Sequence, residues 1–269
     1  MKQPKRSEGN PTKRHRRAVG QARAGNWLFG GIGALLATTL VVGFLSLGGL
    51  HAAERATAVP APAVDNSLAP GPLQTAVLSG GCFWGTQGVF EHVKGVRQVL
   101  AGYSGGQAST ASYETVSMGN TGHAESIRVI FDPAVVSYGE ILRVFFSVAH
   151  DPTQLNRQGP DEGTQYRSSV FFADPTQQKI ATSYIAQLDQ AHVFSRPVVT
   201  RVDPLKGFYP AEGYHQDYLY RNPHQPYIAY NDLPKIENLK RVFPDVYQEK
   251  PVLTRDNNVT GEVAASIGK

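Results

Sequence analysis

Residues 75–92 read TAVLSGGCFWGTQGVFEH, and the pattern changes period halfway along. Thr75–Ser79 is a short apolar run closed by Gly80 and Gly81, the signature of a buried strand ending in a turn. From Phe83 to His92 the apolar residues return at helical spacing. Cys82 therefore stands where a strand turns into a helix.

Working outward, Val96–Tyr103 reads as a second strand, closed by Ser104-Gly105-Gly106, and a long loop containing Tyr113 follows. His123–Phe131 alternates with period two, and Asp132-Pro133 stops it. Ser137 and Glu140 fit a capping box that opens a helix through Ile141, Leu142, Phe145, Phe146 and Val148. A polar loop, 150–167, leads to a strand at Ser168–Ala173. The order β-α-β-β-α-β predicts an α+β fold with a two-layer ferredoxin-like (split β-α-β) core, one sheet carrying two helices on one face. The spacing further predicts a helix from Asp174-Pro175 towards Gln190, a strand at Val198–Asp203, a short helix near 211–219 and a last helix after Pro234. No second linker interrupts these, so they are extra C-terminal helices and a strand on the same domain.

The 269 residues are 41% apolar and 18% charged, which excludes a wholly disordered chain, a collagen and a multi-span membrane protein. The formal charge of +4 hides an asymmetry. Lys2, Lys5, Arg6, Lys13, Arg14, Arg16, Arg17 and Arg23 crowd the first 25 residues against Glu8 alone, leaving a mildly acidic body. A nucleic-acid partner is not expected, because binding phosphates requires a basic face on the folded domain itself.

The basic leader, 1–26, precedes Trp27–Leu50, which is free of charge and long enough to cross a bilayer. This predicts a transmembrane or signal segment at 27–50, read as an uncleaved single-pass anchor. The catalytic domain then lies on the periplasmic or extracytoplasmic side, or is secreted there if the segment is cleaved. Residues 51–73, rich in Ala and Pro, read as an extended linker. A catalytic domain is expected over 74–249 and a flexible tail over 250–269.

Cys82 is the only cysteine, so neither an internal disulfide nor a cysteine zinc cluster can form. A lone cysteine is by default inert core filler. Its place between Gly81 and the first turn of a helix favours a nucleophile, because unpaired N–H groups and the helix dipole stabilise a thiolate. Phe83 and Trp84 follow it, about 100° apart on a helix, so both cannot face one core. At least one should wall an apolar pocket at the sulfur. Glu125 shares a strand face with Ile127, Val129 and Phe131, where desolvation would keep its carboxyl protonated and able to act as a general acid. The alternative is a hydrated carboxylate at the wet end of the strand. His215 could serve Cys82 as a base, or join His123 and His150 at a metal; their spacing favours structural hydrogen bonding instead.

Six stretches carry a resemblance: Gly81-Cys-Phe-Trp-Gly85, Ala101-Gly-Tyr-Ser-Gly-Gly106, Gly119-Asn-Thr-Gly-His-Ala-Glu125, His150-Asp-Pro152, Gly163-Thr-Gln-Tyr-Arg-Ser168 and Tyr214-His-Gln216. In this order they resemble the A-type methionine sulfoxide reductases, over about residues 75–247. The resemblance implies a protein-repair oxidoreductase of oxidative stress. It would reduce methionine S-sulfoxide, in proteins and as the free amino acid, through a cysteine sulfenic acid. It implies that Cys82 attacks the sulfoxide sulfur and that Glu125 protonates the departing oxygen with help from Tyr113 and Tyr166. Phe83 and Trp84 would hold the methyl group, and Asp161 would line the substrate site. No metal or cofactor is expected, and a monomer is.

Many relatives carry recycling cysteines downstream, and this chain has none after Cys82. The resemblance therefore implies an external thiol reductant, thioredoxin-like or glutaredoxin-like or a small thiol. Two other classes remain: an acyl transferase or hydrolase using Cys82 and His215, and a catalytically inert binding module recognising methionine-rich surfaces through Phe83 and Trp84.

Overall fold

The computed structural model describes residues 55–254. The leader, the apolar segment 27–50 and most of the tail, expected at 250–269, lie outside the described residues.

The strands β1 (Gln74–Ser79), β2 (Val96–Ser104), β3 (Ala124–Phe131) and β6 (Ser169–Phe172) form the centre of a six-stranded sheet. The helices α1 (Phe83–Glu91) and α3 (Tyr138–Val144) follow the first and third of these. β3 lies between β1 and β2 and is antiparallel to both, and β6 runs antiparallel beside β1. That is the split β-α-β arrangement, built because each crossover helix returns the chain to the sheet with its apolar face inward. Ala76, Leu78, Val99, Ala101, Ile127 and Val129 bury one face of the sheet against Val89 and Phe90 of α1 and Ile141 and Leu142 of α3.

Caps explain where the helices begin. Ser137 accepts from Glu140 N–H, and Asp174 accepts from Thr176 and Gln177 N–H at the start of α4 (Pro175–Gln190). The helix expected to run from Ser137 through Val148 changes character at Phe145. Phe145–Ala149 is a π turn, and the Phe145 carbonyl bonds the His150 ring at 3.1 Å.

Three local expectations are corrected. Tyr113, placed in a loop, opens a one-turn helix α2 (Tyr113–Val116) capped by Ser112. The strand expected at Val198–Asp203 is β7 (Arg201–Pro204), parallel to β6, and a further edge strand, β8 (Phe208–Pro210), pairs with β2. The helix expected near 211–219 is a tight loop followed by one turn, α5 (Tyr218–Arg221). A two-residue hairpin, β4 (Arg157–Gln158) with β5 (Asp161–Glu162), interrupts the polar loop. The last helix, α6 (Leu233–Val242), carries Pro234 in its first turn.

The segment read as a linker has no regular structure over 55–73, yet it is held along the helical layer. Val59 is 2% exposed. Tyr184 Oη donates to Pro60 O at 2.5 Å, Ala63 N–H donates to Gln187 Oε1 at 2.7 Å, and Asp65 accepts from Ser137 Oγ and Gly139 N–H. The folded body therefore begins before Gln74. It also runs past 249, because Val252 N–H bonds Glu91 O and Thr254 Oγ1 bonds Val99 O.

Candidate active site

Cys82 is the N-cap of α1, with φ −55° and ψ 127°, and it is 8% exposed. The turn that delivers it needs Gly81, whose φ of +83° is unfavourable to any L side chain and whose open face meets Gln158. One residue further on, Phe83 N–H donates to Glu125 Oε2 at 3.0 Å. This bond ties the first turn of α1 to the middle strand of the sheet. Glu125 stands opposite Tyr103 in the β2–β3 register and is 4% exposed, so the hydrated alternative does not hold.

Burial, reinforced by Asp161 and Asp232 and opposed by the Phe83 N–H, lifts the Glu125 carboxyl from 4.5 to about 8. Glu125 is thus a carboxylic acid at neutral pH. The expectation for Cys82 is corrected. Burial, then Glu125 and Asp232, push its thiol well above the usual value, against the Trp84 N–H that points at the sulfur. The dry site first, and the charge of Asp232 with that of Glu125 once it ionises, outweigh one short helix terminus, and the resting nucleophile is a neutral thiol.

Tyr113 and Tyr166 both lie within electrostatic reach of Glu125 and Cys82, and burial first and Glu125 second raise both phenols. Tyr166 ends the 3₁₀ turn Thr164–Tyr166. Tyr113 N–H, at the start of α2, is held by Glu212 Oε1 at 2.9 Å, and Glu212 Oε2 accepts from Tyr103 Oη at 2.9 Å. The two aromatics beside the cysteine part company, as adjacent helical residues must. Phe83 is 1% exposed and packs on Tyr103 and His215. Trp84 keeps partial exposure, stacks on Tyr218 at 3.9 Å and donates its indole N–H to His215 Nδ1 at 3.1 Å. His215 Nδ1 is thereby committed to the indole, with its pKa lowered by burial, and the histidine makes the structural hydrogen bond expected of it. His123 and His150 are bonded elsewhere, to Gln107 O and to Ser168 Oγ.

A cavity of about 550 Å³ reaches Cys82, walled by Asp161, Tyr227, Asn231, Lys235 and the loop 153–160. Asp161 is half-buried, its carboxyl raised by burial despite a hydrogen bond donated by Tyr227 Oη and the nearby Lys235 ammonium. Asp232, entirely buried, lies against Gly85 so tightly that a Cβ there would fall 2.1 Å from its Oδ1. Sequence reasoning missed Tyr227, Asp232 and Lys235. The polar run Asn231-Asp232 before Pro234-Lys235, in an otherwise apolar stretch, was the available signal.

The arrangement can deliver a proton and a sulfur nucleophile to one substrate atom group within a largely dry site. A profile of the family described as peptide methionine sulfoxide reductase matches residues 74–246. A peptide methionine sulfoxide reductase MsrA 2 of Mesorhizobium japonicum is 59% identical over 190 residues, covering 71% of this chain and 97% of that protein. The MsrA 2 of Synechocystis is 50% identical over 191 residues, 70% of this chain and 89% of that protein. Among solved structures, the reduced form of Mxr1 from Saccharomyces cerevisiae superposes with a TM-score of 0.52 at 32% identity, covering 61% of this chain and 92% of that one. Methionine sulfoxide reductase A of Corynebacterium diphtheriae gives 0.50 at 31% identity, covering 64% and 91%. The chain belongs to the peptide methionine sulfoxide reductases of the A type, enzymes that return methionine sulfoxide to methionine with electrons from thiols.

Proposed function

We propose that Cys82, Glu125, Tyr113 and Tyr166 carry the reduction, with Trp84, Phe83 and Asp161 shaping the substrate site. The observation behind this reading is the bond between Phe83 N–H and Glu125, which fixes a protonated acid beside the residue that caps α1. Cys82 Sγ bonds to the sulfoxide sulfur while Glu125 gives its proton to the sulfoxide oxygen, and the thiol's own proton replaces the one given. The two phenols donate to the same oxygen as charge gathers on it. The sulfur–oxygen bond of the substrate then breaks and the oxygen passes to Cys82 Sγ as the bond between the two sulfurs breaks, its electron pair staying with the substrate sulfur, and the products are methionine and a cysteine sulfenic acid. Cys82 is oxidised by two electrons and the substrate is reduced by two.

One thiol then condenses with the sulfenic acid, releasing water and leaving a mixed disulfide. A second thiol restores Cys82. With a single cysteine in the chain both must come from outside, and a protein dithiol of the thioredoxin or glutaredoxin kind supplies them together. The substrate is the S epimer, in proteins and free, on the family resemblance.

Residues 27–50, with the basic leader before them, support a single-pass membrane anchor and an extracytoplasmic catalytic domain. Among the described residues no helix is long and apolar enough to cross a membrane.

The test is turnover of the separated S and R epimers of blocked methionine sulfoxide by the full chain, with dithiothreitol as reductant. Loss of the S epimer alone is expected. Consumption of neither, with Cys82 still open to alkylation, would refute the reading.

A further inference from the structure

A second cavity, of about 480 Å³, lies beside the first. The two share the segment 155–157: Leu155 and Arg157 line the cavity that reaches Cys82, while Asn156, turned by a φ of +51°, lines the second. They share the 3₁₀ turn as well. Thr164 faces the second cavity, and Tyr166, two residues on, stands with Cys82 and Glu125.

The walls of the second cavity are cationic. Arg167, Arg201 and Lys206 line it, against one acid, Asp203. Asp203 is paired with Arg201 at 3.0 Å. Arg167 is 7% exposed and donates to the carbonyls of Gly122, His123 and Thr164. Those partners are neutral, its Nε has no hydrogen-bond partner, and the one carboxylate that acts on it is Asp203, already bonded to Arg201. Burial first and then the facing Arg201 hold its guanidinium below the usual arginine value. Two arginines and a lysine share this hollow with a single carboxylate, and the excess positive charge favours a second anion.

We propose that this cavity is a subsite for an acidic side chain of the oxidised protein, close in sequence to the methionine sulfoxide seated at Cys82. The inference rests on the reading of Cys82 as the reducing centre. A peptide whose oxidised residue enters the first cavity crosses the ridge at 155–157 and places a neighbouring side chain in the second. An Asp or Glu there gains Arg201 and Lys206 at the rim and Arg167 at the floor, and a Lys meets repulsion.

The test uses heptapeptides with a central methionine S-sulfoxide, carrying Glu, Ala or Lys at each flanking position in turn. They are assayed with the full chain and with the Arg201→Ala/Lys206→Ala double variant. Blocked methionine S-sulfoxide, which cannot reach the second cavity, serves alongside. At one or two positions Glu should raise kcat/KM about three- to tenfold over Ala, the range of two exposed ion pairs. The preference should vanish in 0.5 M salt and in the double variant, while turnover of the blocked amino acid stays unchanged in both. Indifference to Glu at every position would overturn the subsite, as would a preference that survives in the variant. The blocked substrate reports the reducing centre by itself, so its turnover by the wild type separates failure of the subsite from failure of the underlying reading.

Discussion

Replacing Glu125 by Gln should make the protein more stable while it destroys the acid. Glu125 is 4% exposed, and its site lifts the carboxyl from 4.5 to about 8. In the unfolded chain the group is ionised at pH 7, whereas the native state must hold a proton on it. Native stability from this group is full below pH 4.5 and is lost as the pH rises towards 8, at 1.36 kcal/mol per pH unit. At pH 7 the wild type has therefore given up about 3 kcal/mol, and at pH 5 under about 1 kcal/mol. Glutamine has nearly the same shape, still offers an oxygen to Phe83 N–H, and never ionises. Urea unfolding of Glu125→Gln should show a gain of about 2–3 kcal/mol at pH 7 and little at pH 5. The same variant should lose sulfoxide reduction while Cys82 stays open to alkylation. For the wild type, kcat/KM should fall about tenfold from pH 7 to pH 9, as the fraction of protonated acid falls through a pKa near 8. An equal increment at pH 5 and pH 7, or a kcat/KM that holds level to pH 9, would refute the reasoning.

Cys82→Ser should lower turnover by several orders of magnitude, and residual rates within tenfold of wild type in the dithiothreitol assay would sink the sulfur mechanism. Tyr113→Phe and Tyr166→Phe should each reduce kcat by about 10- to 100-fold with KM little changed, read from full saturation curves. Gly85→Ala drives a methyl group to 2.1 Å from Asp232 Oδ1, and a loss of about 1–3 kcal/mol should appear in its urea midpoint. Val59→Ala should cost about 1–2 kcal/mol, measurable as a lowered Tm, although the residue lies in a segment whose composition reads as free linker.

The central sheet was legible because its strands and helices differ in period. The apolar run 75–79, the alternation of 123–131 and the capping residues Ser137 and Asp174 each state a local choice that agrees with the fold. Glu125 was legible for the same reason, since the period of two puts its carboxyl on the face it shares with Ile127, Val129 and Phe131. What failed to show lacks a period. β8 is three residues long and contains Pro210, and residues 55–69 are held by distant side chains such as Tyr184 and Gln187 that meet backbone groups. The protonation of Cys82 was misread because it depends on Asp232 and Glu125, brought beside it from 150 and 43 positions along the chain. No local pattern at residues 81–85 announces them. Tyr227 and Lys235 were hidden likewise, in an irregular C-terminal segment rich in tyrosine.

A repair enzyme for oxidised methionine works amid the oxidant that did the damage. Hydrogen peroxide attacks thiolates quickly and thiols slowly, and it favours exposed sulfur. Cys82, protonated and 8% exposed, is a poor target for peroxide. It becomes a good nucleophile only towards a substrate that arrives with its own oxygen to be protonated. The burial and the nearby carboxyl groups that oppose thiolate formation thereby slow the oxidation of the resting thiol by peroxide, so that Cys82 reaches the sulfenic acid chiefly through its substrate.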